Sequence, residues 1–268
     1  MSRRVRQSAP GVVVGIAVVA MGLFALPIIG LLSRVPWGRL PELVTVRASR
    51  EALVLSLITS AIATAIALVL GLPLAWVLAR TRFPGRRLVR AICTLSMVLP
   101  PVVAGVALLA ALGRRGLVGS WLDTLFGIRL PFTTPAVVVA QVFVATPFLI
   151  LTVESALRAT DRTVEDAART LGATPWYLFS RVTMPSIRPA IAAGAVLTWA
   201  RALGEFGATI TFAGNFPGAT RTLPIATYLA LESDVEQAVL MSLVLVAVSL
   251  LVLLSMRERW SSAMGERS

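Results

Sequence analysis

Six long apolar stretches, separated by polar segments, dominate the pattern of this 268-residue chain. Each is close in length to the ~20 residues that cross a ~30 Å hydrocarbon core as an α-helix. We therefore predict an all-α polytopic membrane protein with six transmembrane helices and a single domain over residues 1–268. The predicted spans are residues 12–32, 53–78, 91–112, 136–153, 190–214 and 237–256.

The composition supports a membrane protein. Hydrophobic residues make up 57% of the chain and charged residues only 14%, and the mean hydropathy is +0.84. A soluble domain of this size has too little interior to bury so much apolar surface. The first apolar stretch follows three arginines, but it is too long for a cleaved secretory signal and no small-residue cleavage site follows it. We expect it to be retained as a helix.

The arginines predict the orientation of the chain. All 25 basic residues are arginine. Sixteen lie in the two termini and in the loops at residues 80–90 and 158–188, against eight in the other three loops. Positive charge favours the cytoplasmic side of a membrane, so both termini are predicted to face the cytoplasm, with the chain in the plasma membrane. The dispersed charge argues against nucleic-acid binding and is consistent with contact to membrane lipid.

The residues that are missing exclude several kinds of chemistry. The chain contains no histidine, no lysine and one cysteine, Cys93. It therefore lacks the commonest general base and metal ligand, and it has no phosphate-binding loop ending in Lys-Ser or Lys-Thr. An ion-driven secondary transporter remains an alternative, although such proteins use intramembrane carboxylates and here only Glu205 lies deep in a span. We predict no enzymatic activity, metal or cofactor on this chain itself.

Two of the predicted spans carry features that are unusual at membrane depth. Pro100 and Pro101 must kink or break the third span, and a broken backbone is tolerated there only under protein or beside a water-filled cavity. In the fifth span, Arg201 and Glu205 are four residues apart and are expected to pair. The pair is either a structural contact between helices or part of a translocation path. The candidate path residues are Pro100, Pro101, Gly105, Gln141, Thr146, Arg201, Gly204, Glu205, Gly207, Thr209 and Thr211.

A polar segment, Thr163–Pro189, interrupts the apolar pattern between the fourth and fifth spans. Acidic and hydroxyl residues at its start predict a helix N-terminus, and Gly172 can end that helix in the left-handed conformation. Thr174 and Pro175 are typical of the cap and first turn of a second helix. On that helix Trp176, Phe179 and Val182 are predicted to share one apolar stripe. Two short helices presented this way would suit a groove in a soluble partner.

The spacing within the polar segment resembles the cytoplasmic signature loop of permease subunits from bacterial ABC importers. That signature reads Glu-Ala-Ala, three residues, Gly, nine residues, Ile-x-Leu-Pro. Here Asp166, Val182 and Met184 replace the Glu, Ile and Leu conservatively. The resemblance implies that the segment docks on a separate ATP-hydrolysing subunit and couples it to the membrane helices. The residues implied in coupling are Glu165, Asp166, Ala167, Ala168, Gly172, Ala173, Trp176, Phe179, Val182, Met184 and Pro185.

A narrower resemblance, to the molybdate permease subunits of these importers, covers nearly the whole chain. Sulfate/thiosulfate and tungstate permeases are close relatives and remain alternatives. The resemblance implies a type I ABC importer permease fold, a homodimer on two ATP-binding subunits that hold ATP and Mg, and a binding protein that delivers the oxyanion. It rests on the segments GLPLAWVLARTRFPGRR, VLPPVVAGVALL and ARALGEFGATITFAGNFPGATRTLPIATYLALE.

Overall fold

The computed structural model describes residues 10–265, and these form helices and turns without a β-strand. The predicted all-α class is confirmed. The two termini, predicted to be cytoplasmic, lie largely outside the described residues. The helices are α1 (Gly11–Ser33), a 3-10 turn (Trp37–Arg39), α2 (Glu42–Thr45), α3 (Arg47–Arg80), α4 (Arg86–Val98), α5 (Pro101–Leu112), α6 (Gly119–Phe126), α7 (Thr134–Ala159), α8 (Thr163–Thr170), α9 (Pro175–Tyr177), a π-helix (Leu178–Thr183), α10 (Met184–Ser186), α11 (Arg188–Leu203), α12 (Gly207–Ala213), α13 (Leu223–Ser233) and α14 (Val235–Gly265).

Four helices in the described part of the chain are long and apolar enough to cross a membrane. They are α1, α3, α7 and the Val235–Val252 part of α14. They correspond to four of the predicted spans, and α3 extends several residues beyond the predicted 53–78 at its N-terminal end. No residue of α1 is buried, so its apolar side chains face lipid or a neighbouring subunit. The total of six spans stays a prediction.

The other two predicted spans are not continuous helices. The third is divided into α4 and α5 at Leu99 and Pro100, as the paired prolines predict. The fifth is divided into α11 and α12, with Gly204, Glu205 and Phe206 between them. We refer to these interruptions as the α4–α5 break and the α11–α12 break. The span predicted over residues 190–214 is therefore divided between two shorter helices in the described structure.

Helix α7 lies at the centre of the described structure, with α3 and α11 packed against it. Glycines permit this close approach. A Cβ built on Gly71 of α3 would lie 3.1 Å from Leu149 Cδ2, and one on Gly194 of α11 would lie 2.9 Å from Leu149 Cδ1. Small residues at helix contacts let backbones approach closely in lipid. Leu149 is thus held between α3 and α11 at a close helix contact.

The short apolar segment after Gly214 forms α13, which is 11 residues long and too short to span. It packs against α14 and α3 through a small buried cluster that includes Leu223, Ala226 and Met241. The Leu223 amide donates a 2.6 Å hydrogen bond to Ser56 Oγ of α3. Small buried residues of α3 are therefore used both for helix packing and for this buried contact.

Candidate functional site

The first helix of the polar segment begins and ends as the sequence predicts. Asp161 accepts hydrogen bonds from the amide and the hydroxyl of Thr163, and these bonds hold the pKa of Asp161 below its usual value. Gly172 follows α8 with φ of +83°. Its amide and that of Ala173 donate to the carbonyls of Arg169 and Ala168. This is a helix end with a left-handed glycine.

The second helix of the polar segment differs from its prediction in one respect. Thr174 Oγ1 accepts a 3.2 Å hydrogen bond from the Tyr177 amide, so the predicted cap is confirmed. After Tyr177, however, the chain forms a π-helix. Because a π-helix has more residues per turn than an α-helix, side chains three apart do not stay on one stripe. The ring centroids of Trp176 and Phe179 are 5.7 Å apart, but Val182 lines a separate groove.

The apolar residues of this second helix lie against the body of the protein. Phe179 meets the Trp76 ring of α3 edge-on, with centroids 5.6 Å apart. Met184 packs on the core between α3 and α7, and Pro185 follows it within the short α10. Phe179 and Met184 therefore hold the polar segment against α3 and α7, whereas Trp176 remains largely exposed beside Phe179.

Glu165 is the residue that joins the polar segment most firmly to the membrane helices. Its Oε1 accepts a 2.9 Å hydrogen bond from Arg80 Nη2 at the end of α3 and a 3.1 Å hydrogen bond from Thr183 Oγ1 of the π-helix. The Arg80 and Glu165 side chains are only 2% and 4% exposed. The sequence predicted Glu165 as a charge at a helix start. The structure shows it as a buried contact among three elements.

The opposite side of the polar segment is exposed. Leu171 is 89% exposed, and Val164 and Tyr177 are exposed as well. Asp166 and Ala167 also face outward, and Asp166 forms only a surface ion pair with Arg169 at 3.3 Å. Exposed apolar side chains that cluster on one surface mark sites of protein interaction. An open groove of about 550 Å³ lies here, lined by Ala168, Leu171, Gly172, Ala173, Thr174, Tyr177 and Val182.

A second region of interest lies at the α11–α12 break. Arg201 Nη1 and Glu205 Oε2 are 2.6 Å apart, so the predicted pairing is confirmed. The other carboxylate oxygen of Glu205 accepts a 2.9 Å hydrogen bond from the Ala208 amide in the first turn of α12. Glu205 therefore joins the two halves of the interrupted helix. Its side chain is 1% exposed, whereas Arg201 is 29% exposed.

The two helix breaks pack against each other through glycines. A Cβ built on Gly207 would lie 2.5 Å from the Cβ of Pro101. A Cβ on Gly105 would lie 2.5 Å from the Cβ of Thr211 and 2.9 Å from the Ala208 carbonyl oxygen. Neither position has room for a larger residue. The structure thus brings together the predicted path residues of the third and fifth spans, in a contact between α5 and α12.

The remaining predicted path residues occupy mixed surroundings. Gln141 of α7 and Thr209 of α12 are fully buried, and their side chains have no hydrogen-bond partner among the described residues. Thr146 bonds to the Val142 carbonyl of its own helix at 2.6 Å. Pro100 and Gly204 are exposed at the two breaks. Unpartnered buried polar groups are unfavourable, so Gln141 and Thr209 are polar positions that packing alone does not explain.

Sequence reasoning missed a further buried carboxylate, Glu154 of α7. It accepts hydrogen bonds from Arg90 of α4 at 2.5 Å and from Arg158, one turn along its own helix, at 2.6 Å. The i, i+4 spacing of Glu154 and Arg158 was the available signal. The contact with Arg90 fixes the start of α4 against α7.

Comparisons with known proteins agree with this arrangement. The family described as binding-protein-dependent transport system inner membrane component matches residues 67–261. The molybdenum transport system permease protein ModB of Mycobacterium tuberculosis is 45% identical, over 91% of this chain and 92% of its own length. The sulfate transport system permease protein CysT of Escherichia coli is 36% identical, over 84% and 81%.

The fold itself is shared with a solved transporter. A crystal structure of a bacterial ABC transporter for the acidic polysaccharide alginate matches with a TM-score of 0.74, at 18% identity and over 91% of each chain. This likeness shows the fold alone. Together with the family match over most of its length, it identifies the chain as a membrane permease that belongs to the family of binding-protein-dependent transport system inner membrane components.

Proposed function

We propose that this chain is the membrane permease subunit of an ATP-driven importer of molybdate. The observation that carries the proposal is the 45% identity, over 91% of the chain, to a permease named for molybdenum transport. The sulfate permease is less similar, at 36% over 84%. Both oxyanions are tetrahedral dianions, so selectivity between them is assigned chiefly to the binding protein that delivers the substrate.

The polar segment is proposed to be the element through which ATP hydrolysis drives transport. Its exposed apolar face and groove suit a helix-in-groove contact with a soluble ATPase subunit. The chain has no phosphate-binding loop, so ATP and Mg are assigned to that separate subunit. On the other side, Glu165 is bound to Arg80 and Thr183. Movement of the segment would therefore be passed directly to the end of α3.

The facing breaks are proposed to line the translocation path. Broken backbone at membrane depth is tolerated where it lines a cavity or is covered by protein. The part-exposed Arg201 guanidinium supplies positive charge for a dianion, while Glu205 beside it weakens the attraction. A weak site is suited to passage because the anion must also leave. We place the path residues Pro100, Pro101, Gly105, Gln141, Thr146, Arg201, Gly204, Glu205, Gly207, Thr209 and Thr211 along this route.

The complete importer is proposed to contain two copies of this chain, two ATP-binding subunits and an extracytoplasmic oxyanion-binding protein. The family description itself names dependence on a binding protein. The arginine distribution supports a cytoplasmic position for the polar segment and both termini. This orientation places the coupling surface on the side where ATP is available.

Uptake of labelled molybdate tests the substrate. Cells that carry the importer, and matched cells lacking this chain, are assayed with an excess of sulfate or tungstate. Uptake that requires the chain, resists sulfate and is reduced by tungstate is the expected result, because tungstate is the closer chemical analogue. Uptake abolished by sulfate would transfer the assignment to a sulfate importer. Uptake that follows an ion gradient without ATP would contradict the ATP-driven mechanism.

A further inference from the structure

A second charged surface lies beside the polar segment and plays no part in the proposed transport. It is the loop between α3 and α4 together with the first turn of α4. Three of its arginines, Arg82, Arg86 and Arg87, form no ion pair within the described part of the chain. They line an open cavity of about 350 Å³ with Phe83 and Gly85. We call this the arginine pocket.

The pocket contains an unsatisfied donor. The Nε of Arg86 is buried and has no hydrogen-bond partner among the described residues. The two flanking arginines, in contrast, already form ion pairs within the protein, Arg80 with Glu165 and Arg90 with Glu154. The first turn of α4 carries no acidic residue that would neutralise the pocket. The three free guanidinium groups are therefore available to an anion from outside the chain.

Helix α4 continues from the pocket with two different faces. Its inner side packs on the core through Val89 and Cys93. Its outer side carries Leu88, Ile92 and Leu95, which are 65%, 61% and 51% exposed. Their i, i+4, i+7 spacing makes one continuous apolar strip. The arginine pocket therefore lies at one end of the exposed apolar strip of α4, a helix within the predicted third span.

From this juxtaposition we infer that the arginine pocket binds the headgroup phosphate of an anionic phospholipid, with the acyl chains along the Leu88–Ile92–Leu95 strip. Basic clusters just cytoplasmic of a membrane helix attract anionic lipid headgroups. The apolar strip favours a lipid over a free phosphate ion because only a lipid has acyl chains to cover it. The inference rests on the proposed function for its cytoplasmic orientation, which places the pocket at the inner leaflet.

Native mass spectrometry of the purified importer, titrated with phosphatidylglycerol or phosphatidylcholine, tests the inference. The wild type is expected to retain phosphatidylglycerol with a preference on the order of tenfold, because each arginine adds attraction for an anionic headgroup. The triple variant Arg82→Gln, Arg86→Gln, Arg87→Gln should lose the preference. The matched control is a second triple variant, Arg34→Gln, Arg50→Gln and Arg115→Gln, which removes the same total charge at exposed arginines without a described ion pair. This control should keep the preference for phosphatidylglycerol.

Two further measurements separate a lipid from other occupants. Leu88→Ser with Ile92→Ser should weaken phosphatidylglycerol retention, and millimolar inorganic phosphate should not displace the lipid. Displacement by phosphate with no effect of the serine variant would show a free-anion site and overturn the inference. Unchanged lipid retention in the arginine variant, with release of the ATPase subunits or of the second permease copy, would show a protein interface instead. Because lipid retention is measured without transport, failed molybdate uptake with lipid bound would reject only the proposed function.

Discussion

Two of the arginine–glutamate pairs in the protein differ in sequence separation and in exposure. Arg80 and Glu165 are 85 residues apart in sequence, and both side chains are almost inaccessible to solvent. Arg201 and Glu205 are four residues apart across a break in one span, and Arg201 is part-exposed. The first pair joins two separate parts of the fold. The second joins the two halves of one interrupted helix and leaves the Arg201 guanidinium partly exposed to solvent.

This difference indicates two different uses of the same chemistry. A buried pair is sensitive to the loss of one partner, because the other charge is then left without compensation. Where one partner is part-exposed, as Arg201 is, solvent screens the attraction on that side and the pair contributes less to stability. We therefore assign the Arg80–Glu165 pair to holding and moving the polar segment. The Arg201–Glu205 pair is assigned to the path, where a charge must remain reachable.

The largest effect is expected from Glu165→Ala. This change leaves Arg80 buried without its carboxylate and removes the acceptor of Thr183, at a cost of about 3–5 kcal/mol. Thermal unfolding of the purified importer should occur at a clearly lower temperature, and ATP-dependent molybdate uptake should fall to background. The neighbouring Asp166→Ala is the matched control, since its exposed surface pair is worth less than about 1 kcal/mol.

A paired variant makes the same comparison stricter. Arg80→Met with Glu165→Leu removes both charges and replaces them with apolar side chains, a change that is often neutral or stabilising for a buried pair. Stability should return while coupling stays impaired. If Glu165→Ala unfolds no earlier than Asp166→Ala, the pair does not hold the polar segment and the contrast with Arg201–Glu205 fails.

The next largest effect is expected from Gly207→Ala, which tests whether packing or the ion pair holds the second region together. The new Cβ would meet Pro101 at 2.5 Å, and overpacking of this kind costs about 1–3 kcal/mol. Gly204→Ala is the matched control within the same break, since its Cβ would meet only the Ala200 carbonyl oxygen at 3.5 Å. Equal unfolding temperatures for the two variants would show that α5 and α12 are not closely packed in the membrane.

A smaller effect is expected from Gly172→Ala. The left-handed backbone at this position disfavours any residue with a Cβ, at a cost of about 1–2 kcal/mol, although the surrounding space is open. The expected result is reduced molybdate uptake with ATP hydrolysis retained, because the turn that shapes the polar segment is altered. Gly127→Ala carries the same kind of strain at the end of α6 and also has open space. It should leave coupling unchanged, and a similar loss in both variants would assign the effect to general strain.

The smallest change in stability is expected from Arg201→Gln. The introduced glutamine amide can still donate a hydrogen bond to the buried Glu205 carboxylate, so the free energy of unfolding should fall by only about 1 kcal/mol. Uptake should nevertheless fall roughly tenfold, the scale of one charged hydrogen bond of about 1.5 kcal/mol. Arg115→Gln, which changes an exposed arginine in another loop, serves as the control.

The accessibility of the path position is tested separately with Arg201→Cys in a Cys93→Ser background. The introduced thiol should react with hydrophilic reagents in at least one conformational state of the importer. Complete protection would show that the pair only packs helices.

Local features of both regions could be predicted from the sequence. The left-handed Gly172, the Thr174 cap, the Pro100–Pro101 break and the Arg201–Glu205 pair all depend on residues within about one helical turn. Contacts between distant elements could not be predicted in this way. Glu165 meets Arg80 only because α8 folds back against the end of α3, and no local period carries that information.

The π-helix shows the same limit within one short segment. The prediction for Val182 assumed ordinary helical spacing, and the change in residues per turn removed it from the stripe of Trp176 and Phe179. The capping of α12 by Glu205 was likewise unpredictable, because it exists only once the fifth span is broken. Sequence thus predicts the ends of the polar-segment helices and the proline break, while the fold decides which charges meet.

The ratio of ATP hydrolysed to molybdate imported, measured in proteoliposomes, tests the central claim most directly. Glu165→Gln and Arg201→Gln are compared side by side with the wild type, because both changes remove one charge and introduce the same neutral amide. If the first pair couples and the second lines the path, Glu165→Gln raises the ratio while Arg201→Gln lowers both rates and leaves the ratio unchanged. A ratio raised by Arg201→Gln but unaffected by Glu165→Gln would contradict the account.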